Sequence, residues 1–339
     1  MEYLETVHHT DRPATVHRAE HATALADHTE HRFSHEALFY SGQQGFLEGV
    51  LPFVTDALVA EESVLVAVVD DKAELLKQAL GPDGERVSFT DMRLLGHNPA
   101  RIIPAWHRFL KENASENRPV RGIGEPIWHG RSAAEVSECQ RHESLLNLAF
   151  DEGIGWRLLC PYDLGALDED VIEAARRSHP FVSEDGEIGV SAAYLRGDAA
   201  PGPFDGALPP PPAGATELAF TGNSMGWLRR LLRGWAAGLG LGHERTEHLL
   251  LAVTELASNS VHHGGGDGTL WMWHEEQRLL VEVHDRGHIE EALVGRTHPA
   301  PEQPAGRGLW LVNHLCDLVQ IRSDHAGSVV RVHMDLAQP

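Results

Sequence analysis

Four successive prolines at positions 209–212 follow closely on Ala-Ala-Pro-Gly-Pro at 199–203 and set the first limit on this chain. Proline lacks a backbone N–H, and its ring clashes inside a helix, so such a run fits neither a helix interior nor a central strand. Residues 197–215 therefore read as a semi-rigid spacer. The chain has 339 residues, 42% of them hydrophobic, enough for two globular units that each bury a core. The boundaries read as a histidine-rich tail (1–32), a first domain (33–196), the spacer (197–215) and a second domain (216–339).

In the first domain, Val64-Leu65-Val66-Ala67-Val68-Val69 is an unbroken apolar run ending at Asp70-Asp71, the pattern of a strand buried on both faces of a parallel sheet. Residues 87–90 and 156–160 read the same way. Helical spacing appears near 44–60, 72–80, 99–113, 134–152 and 168–178, so the expected fold is a layered α/β domain with a mostly parallel sheet. Where a phosphate-binding loop would carry lysine followed by a hydroxyl residue, Ser41-Gly42-Gln43-Gln44-Gly45-Phe46 has neither, so ATP hydrolysis is not expected in this half.

Three pieces of the second domain carry chemistry. In 251–264, Glu255 and Asn259 stand one helical turn apart on one face. Asn259 offers a hard oxygen of the kind Mg²⁺ accepts, and Glu255 a base for a hydroxyl or water. Gly264-Gly265-Gly266 should end the helix with positive φ. Residues 279–285 read as a strand whose last residue, Asp285, shares a face with Val281 and Val283. A carboxylate there needs a partner, and an adenine amino group is a suitable donor; Gly287 lets the backbone pass close to a base. Gly306-Arg307-Gly308 opens an apolar run from Leu309, and the amides of a glycine-rich helix start bind phosphate. Singly, each piece also fits an ordinary helix, turn or cap; their order and spacing make the signal.

Together the three pieces resemble the N-box, Asp-x-Gly box and second glycine box of the GHKL ATPases. From about 216 to 334 the chain is similar to the anti-sigma-factor serine kinases of that superfamily. Ser224-Met225-Gly226-Trp227-Leu228 looks like their first helix, and no phosphoacceptor helix pair precedes the N-box. The resemblance implies an α/β sandwich of the GHKL (Bergerat) type binding ATP and Mg²⁺. Glu255 would be the general base, Asn259 the Mg²⁺ holder and Asp285 with Gly287 the adenine reader. Gly306, Arg307, Gly308 and Leu309 would line the phosphates, and 288–305 would form the lid. Arg296 and Arg307 are both candidates for stabilising the transferring phosphoryl group. The implied partner is a sigma factor or an anti-sigma antagonist, and a homodimer is implied as well. The chain departs from the family pattern at Ile289, where glycine is common, and at Ser260, where alanine is usual. A non-catalytic, ATP-dependent partner-binding module stays open as a second reading, and a histidine kinase as a third.

The first domain resembles the MEDS (methanogen/methylotroph, DcmR-type) sensory domain, a relative of RecA/KaiC-like cores. The resemblance rests on 35–40, Gly122-Ile123-Gly124-Glu125-Pro126-Ile127-Trp128, Cys139-Gln140-Arg141-His142-Glu143 and Cys160-Pro161-Tyr162-Asp163. It implies a small-molecule effector, for which Glu125, Trp128, Arg141, His142, Glu143 and Tyr162 are candidates. Arg141, His142 and Glu143 read first as a structural ion cluster with Asp163 and second as a ligand site.

A formal net charge of −22 argues against direct nucleic-acid binding. Cys139, Cys160 and Cys316 have no metal-like spacing and read as small buried apolar residues of a protein kept in a reducing, cytoplasmic compartment. No apolar run is long enough to span a membrane. Of 23 histidines, His8, His9, His17, His21, His28, His31 and His35 crowd the start and read as part of a loosely ordered tail rather than a metal site. His262-His263 read as a helix-end cap or as a nucleotide contact.

Overall fold

The computed structural model describes residues 33–115, 119–150, 155–184, 186–196, 199–299 and 306–336. Six histidines of the amino-terminal tail, and Pro301 and Pro304 of the expected lid, lie outside them. His35 does not belong to a tail. It is fully buried in the first strand.

The first half holds β1 (Ser34–Tyr40), α1 (Gly42–Val59), β2 (Ser63–Val68), α2 (Asp70–Leu80), β3 (Ser88–Asp91), α3 (Met92–Leu95), α4 (Ile102–Asn113), β4 (Val120–Gly124), α5 (Ala133–Ala149), β5 (Arg157–Asp163), α6 (Glu169–Ser178), β6 (Phe181–Glu184) and β7 (Glu187–Val190). The seven strands form one sheet in the order β3-β2-β4-β5-β1-β6-β7. Only β7 runs antiparallel, against β6. This is the layered, mostly parallel α/β fold that the apolar runs imply. All seven residues of β1 are buried because both its neighbours and both faces are covered. Its Glu36 tolerates burial because the Arg157 guanidinium donates to both carboxylate oxygens at 2.8–3.1 Å.

The second half holds β8 (Thr216–Thr221), α7 (Met225–Gly238), α8 (His243–His263), β9 (Asp267–Glu275), β10 (Arg278–Asp285), α9 (Arg307–Leu315), β11 (Leu318–Asp324) and β12 (Gly327–Asp335). Its five strands are antiparallel in the order β11-β12-β10-β9-β8. Alternation sends Leu279, Val281 and Val283 of β10, and Val330, Val332 and Met334 of β12, to one face. The apolar stripes of α7, α8 and α9 close over that face through Leu228, Leu232, Leu249, Val253, Leu256 and Val312. The result is a two-layer α/β sandwich.

The halves dock through polar groups and one apolar contact. Arg101 donates to the carbonyls of Asn313 (3.0 Å), His314 (3.1 Å) and Cys316 (2.8 Å), satisfying orphan acceptors at the carboxyl end of α9. Asn98 donates to the Asn313 carbonyl at 3.0 Å. Glu138 of α5, 2% exposed, is paired with Arg322 of β11 at 2.9 Å and with Arg296 at 3.8 Å. Ala292 and Leu293, from the stretch between β10 and α9, pack against the core that contains Ile127 and Cys139.

Candidate functional site

Two helices and the end of β10 bring the candidate residues together. Glu255 and Asn259 lie on one face of α8, both half-buried. A Cβ placed on Gly308 would meet Glu255 Oε2 at 3.1 Å and Asn259 Nδ2 at 3.3 Å, so the start of α9 lies directly against the acid–amide pair. Gly306 occupies the left-handed region (φ +88°) as the residue that opens α9, which glycine does without strain. The two pieces meet because α8 and α9 pack side by side on the sheet.

The other end of the site is built around Asp285. Ser260 Oγ donates to Asp285 Oδ2 at 2.6 Å, and the Gly287 N–H donates to Oδ1 at 2.8 Å. Ser260, read in the sequence as a departure, thus ties the N-box helix to the Asp-x-Gly strand. A Cβ on Gly264 would lie 2.5 Å from Asp285 Cγ, a distance no real pair tolerates. Gly264 itself has φ −95°, so its glycine is required by this close approach, while positive φ falls to Gly265 and Gly266. Gly264→Ala should therefore leave the backbone unstrained, displace the Asp285 carboxylate and weaken nucleotide binding. A calorimetric titration with ATP beside a denaturant midpoint measures both effects, and unchanged affinity would contradict the placement.

Several candidates sit elsewhere than the sequence suggested. Arg296 is buried and turned toward Glu138 of the first domain, which leaves Arg307 as the arginine at the glycine box. His262 and His263 do end α8, in keeping with their helix-end reading, as exposed residues near Asp285. His263 contributes its carbonyl oxygen to the crowding around Gly287.

The sensor candidates split into separate places. Arg141 pairs with Glu138 at 3.7 Å and donates to the carbonyls of Pro203 (3.4 Å) and Asp205 (2.5 Å) in the spacer. Trp128 carries the Arg131 guanidinium on its ring at 3.8 Å. His142 is buried, and burial above all pushes its imidazole down to about 3. The expected cluster with Asp163 does not form. Asp163 instead accepts from the amides of Gly42 (3.4 Å) and Gly165 (3.0 Å). Its carboxylate thus sits where a phosphate-binding loop would receive a phosphate, and repels one there. Glu125 is held by Lys72, which also donates to Tyr40 Oη at 2.6 Å.

Glu143 faces His35, Cys160 and His179, with the Tyr162 ring edge-on to His179 at 5.6 Å. From sequence, His35 reads as part of a motif and of the tail, Cys160 as part of a motif and as a small buried apolar residue, and His179 carries no reading. Their one visible signal was that His35 and Cys160 stand at alternating positions of two apolar runs.

The fold defines a layered α/β unit joined to a two-layer α/β sandwich, with the acid–amide pair, the glycine box and Asp285 gathered at one place on the sandwich. Residues 34–180 match the model of the MEDS family (MEthanogen/methylotroph, DcmR Sensory domain), and residues 219–334 match that of the histidine kinase-like ATPase domain. The chain is a fusion of these two families. No curated protein matches it. Among solved structures, the RsbU and RsbW domains of Rv1364c from Mycobacterium tuberculosis are similar at 20% identity, covering 37% of this chain and 33% of that one, with a TM-score of 0.28. The Acinetobacter baumannii histidine kinase AdeS is similar at 10% identity, over 36% of this chain and 68% of that one, with a TM-score of 0.23. At those scores neither likeness bears on function. No helix among the described residues is long and apolar enough to cross a membrane.

Proposed function

We propose that this chain is a signalling regulator in which a sensory domain spanning 33–196 controls a kinase domain spanning 216–339. The kinase is of the anti-sigma-factor serine/threonine type, acting on a sigma factor or its anti-sigma antagonist. The observation that carries the reading is the seating of Gly308 against Glu255 and Asn259, with Asp285 anchored to Ser260, the next residue along the same helix. Asp285 and Gly287 would read adenine. Asn259 would hold Mg²⁺, which neutralises phosphate charge, and Gly306, Gly308 and Leu309 would present amides to the phosphates. Glu255 would take the proton of the substrate hydroxyl, and Arg307 would balance charge on the transferring group.

Control would run through the lid. Its first half is fastened to the sensory domain by Arg296 and by the packing of Ala292 and Leu293. Asn313 of α9 also donates to the Gly295 carbonyl at 2.9 Å, joining lid to helix. A change in the sensory domain would then reach the nucleotide through these packed side chains.

Glu255→Gln keeps the shape and removes the base. Phosphate transfer to a serine or threonine of the partner should fall at least about 100-fold, with ATP affinity held within a few-fold. Single-turnover transfer from labelled ATP reads the first and calorimetry the second. Full transfer by Glu255→Gln would exclude this residue as the base. ATP binding without transfer by the parent chain would favour the non-catalytic partner-binding module.

A further inference from the structure

The cluster around Glu143 has the geometry of a metal site. His35 projects from β1 and Cys160 from β5, two neighbouring parallel strands, onto the sheet face covered by α5 and α6. Glu143 comes from α5, and His179 directly follows α6. All four are buried to 0–1% exposure. His35 Nε2 and Glu143 Oε2 are 3.0 Å apart, and His179 Nε2 and Glu143 Oε2 are 3.3 Å apart. Cys160 Sγ lies 3.4 Å from His35 Nε2 and 3.7 Å from Glu143 Oε2. All four ligand atoms fall within 4.8 Å of one another. The edges of a tetrahedron around Zn²⁺, with bonds of about 2.0–2.3 Å, are about 3.3–3.8 Å long.

The hydrogen bonds outside the cluster say what faces inward. Asn147 Nδ2 donates to the Ser178 carbonyl at 2.7 Å, which turns Asn147 Oδ1 toward His35 Nδ1 at 3.1 Å. His35 Nδ1 must therefore carry the proton. His179 Nδ1 lies 2.8 Å from the Ala175 carbonyl and must carry one as well. Each neutral ring then directs a bare Nε2 lone pair at the same carboxylate oxygen. His179 Nε2 and Glu143 Oε1 have no hydrogen-bond partner. Acceptors facing acceptors in a dry interior are costly unless a cation lies between them. The Cys160 thiol, 3.4 Å from His35 Nε2 and 3.7 Å from Glu143 Oε2, can donate to only one of these acceptors. Protonating both Nε2 atoms would place two imidazolium charges on rings whose centroids are 4.0 Å apart. One divalent ion satisfies all four groups, and its charge cancels those of a carboxylate and a thiolate.

We propose that the sensory domain binds one Zn²⁺ through His35 Nε2, Glu143, Cys160 Sγ and His179 Nε2. The mixed nitrogen, oxygen and sulfur set suits this borderline-soft ion, and four protein ligands make the site closed rather than catalytic. The Cys160 thiol proton leaves to solvent as the metal enters. Asn147 and the Ala175 carbonyl orient the two imidazoles from outside, the usual arrangement around ligating histidines.

The test uses the full chain produced with Zn²⁺ or Co²⁺ in the growth medium, since a site this buried is filled during folding. Elemental analysis should give about one metal per chain that survives dialysis against chelator. The Co²⁺ form should show a near-ultraviolet sulfur-to-metal charge-transfer band. Cys160→Ser should lose that band, Cys139→Ser should keep it, and His179→Gln should retain less metal. The histidines at 8–31 offer no sulfur, so metal held there gives no such band. A metal-free parent chain, or bound Co²⁺ without a band that depends on Cys160, would overturn the proposal. Metal content of the unsubstituted chain decides the question even if a variant fails to fold.

Discussion

Asp285→Asn should weaken ATP binding by about 10- to 100-fold, the range expected when a charged hydrogen-bond acceptor is lost. The reason lies in what already surrounds this carboxylate. Ser260 donates to one oxygen and the Gly287 amide to the other. Each oxygen keeps a second lone pair, and one of these can meet an adenine amino group. An asparagine can keep its Oδ1 at the Gly287 amide only by setting its NH₂ against Ser260 Oγ. That hydroxyl must then turn its hydrogen to the Leu256 carbonyl and accept instead, which leaves no carboxylate lone pair on that side for adenine. The substitution therefore removes the acceptor, disturbs the strand end and loosens the tie to α8. Calorimetric titration of parent and variant with ATP and Mg²⁺ measures the effect. Equal affinities would remove Asp285 from the site, whereas binding in neither would leave the helix pair a fold without nucleotide.

The second large effect should come from Glu138→Ala. This carboxylate is nearly inaccessible and is the shared counter-ion of Arg322 at 2.9 Å, Arg296 at 3.8 Å and Arg141 at 3.7 Å. Arg322 and Arg296 are themselves buried. Removing the acid strands their charges without water, which for buried pairs costs about 3–5 kcal/mol. An exposed control, Glu247→Ala, breaks the ion pair with Arg233 and should cost less than about 1 kcal/mol, since water and salt screen it. Denaturant midpoints separate the two cases. A Glu138 variant as stable as the Glu247 variant would show that the docked arrangement contributes little. Since Arg296 belongs to the proposed lid segment, ATP affinity should shift in the Glu138 variant alone.

What could be read from residues alone followed the range of each interaction. Val64-Leu65-Val66-Ala67-Val68-Val69 announced a central strand, because burial on both faces leaves no room for polar side chains. The pair Glu255 and Asn259 was legible because one helical turn fixes their common face. The short strands β6 and β7 were not, being brief and half polar. Gly264 was assigned to the wrong cause, since the need for a bare Cα arises from Asp285, a residue of another strand. Pairings across long separations escape local pattern altogether, such as Asn98 with Asn313, 215 positions apart. The same holds for the four residues around Glu143. They come from two strands, a helix and a helix end, so no spacing along the chain could reveal them. Arg296 was a fair candidate for phosphate chemistry until the neighbouring domain supplied it with an acid.

The proline-rich spacer is held at both sides. Arg141 holds the Pro203 and Asp205 carbonyls, Arg331 holds the Pro209 carbonyl at 2.5 Å, and the Ser323 amide donates to the Phe204 carbonyl at 3.4 Å. Phe204 also packs against the core of the second domain. Polymer statistics, which govern how a free tether lets two modules find one another, do not describe a segment stitched down in this way. A residue inserted here would give no slack. It would pull the stitches out of register, so the length of this strand of prolines is a gauge that sets how the two domains meet.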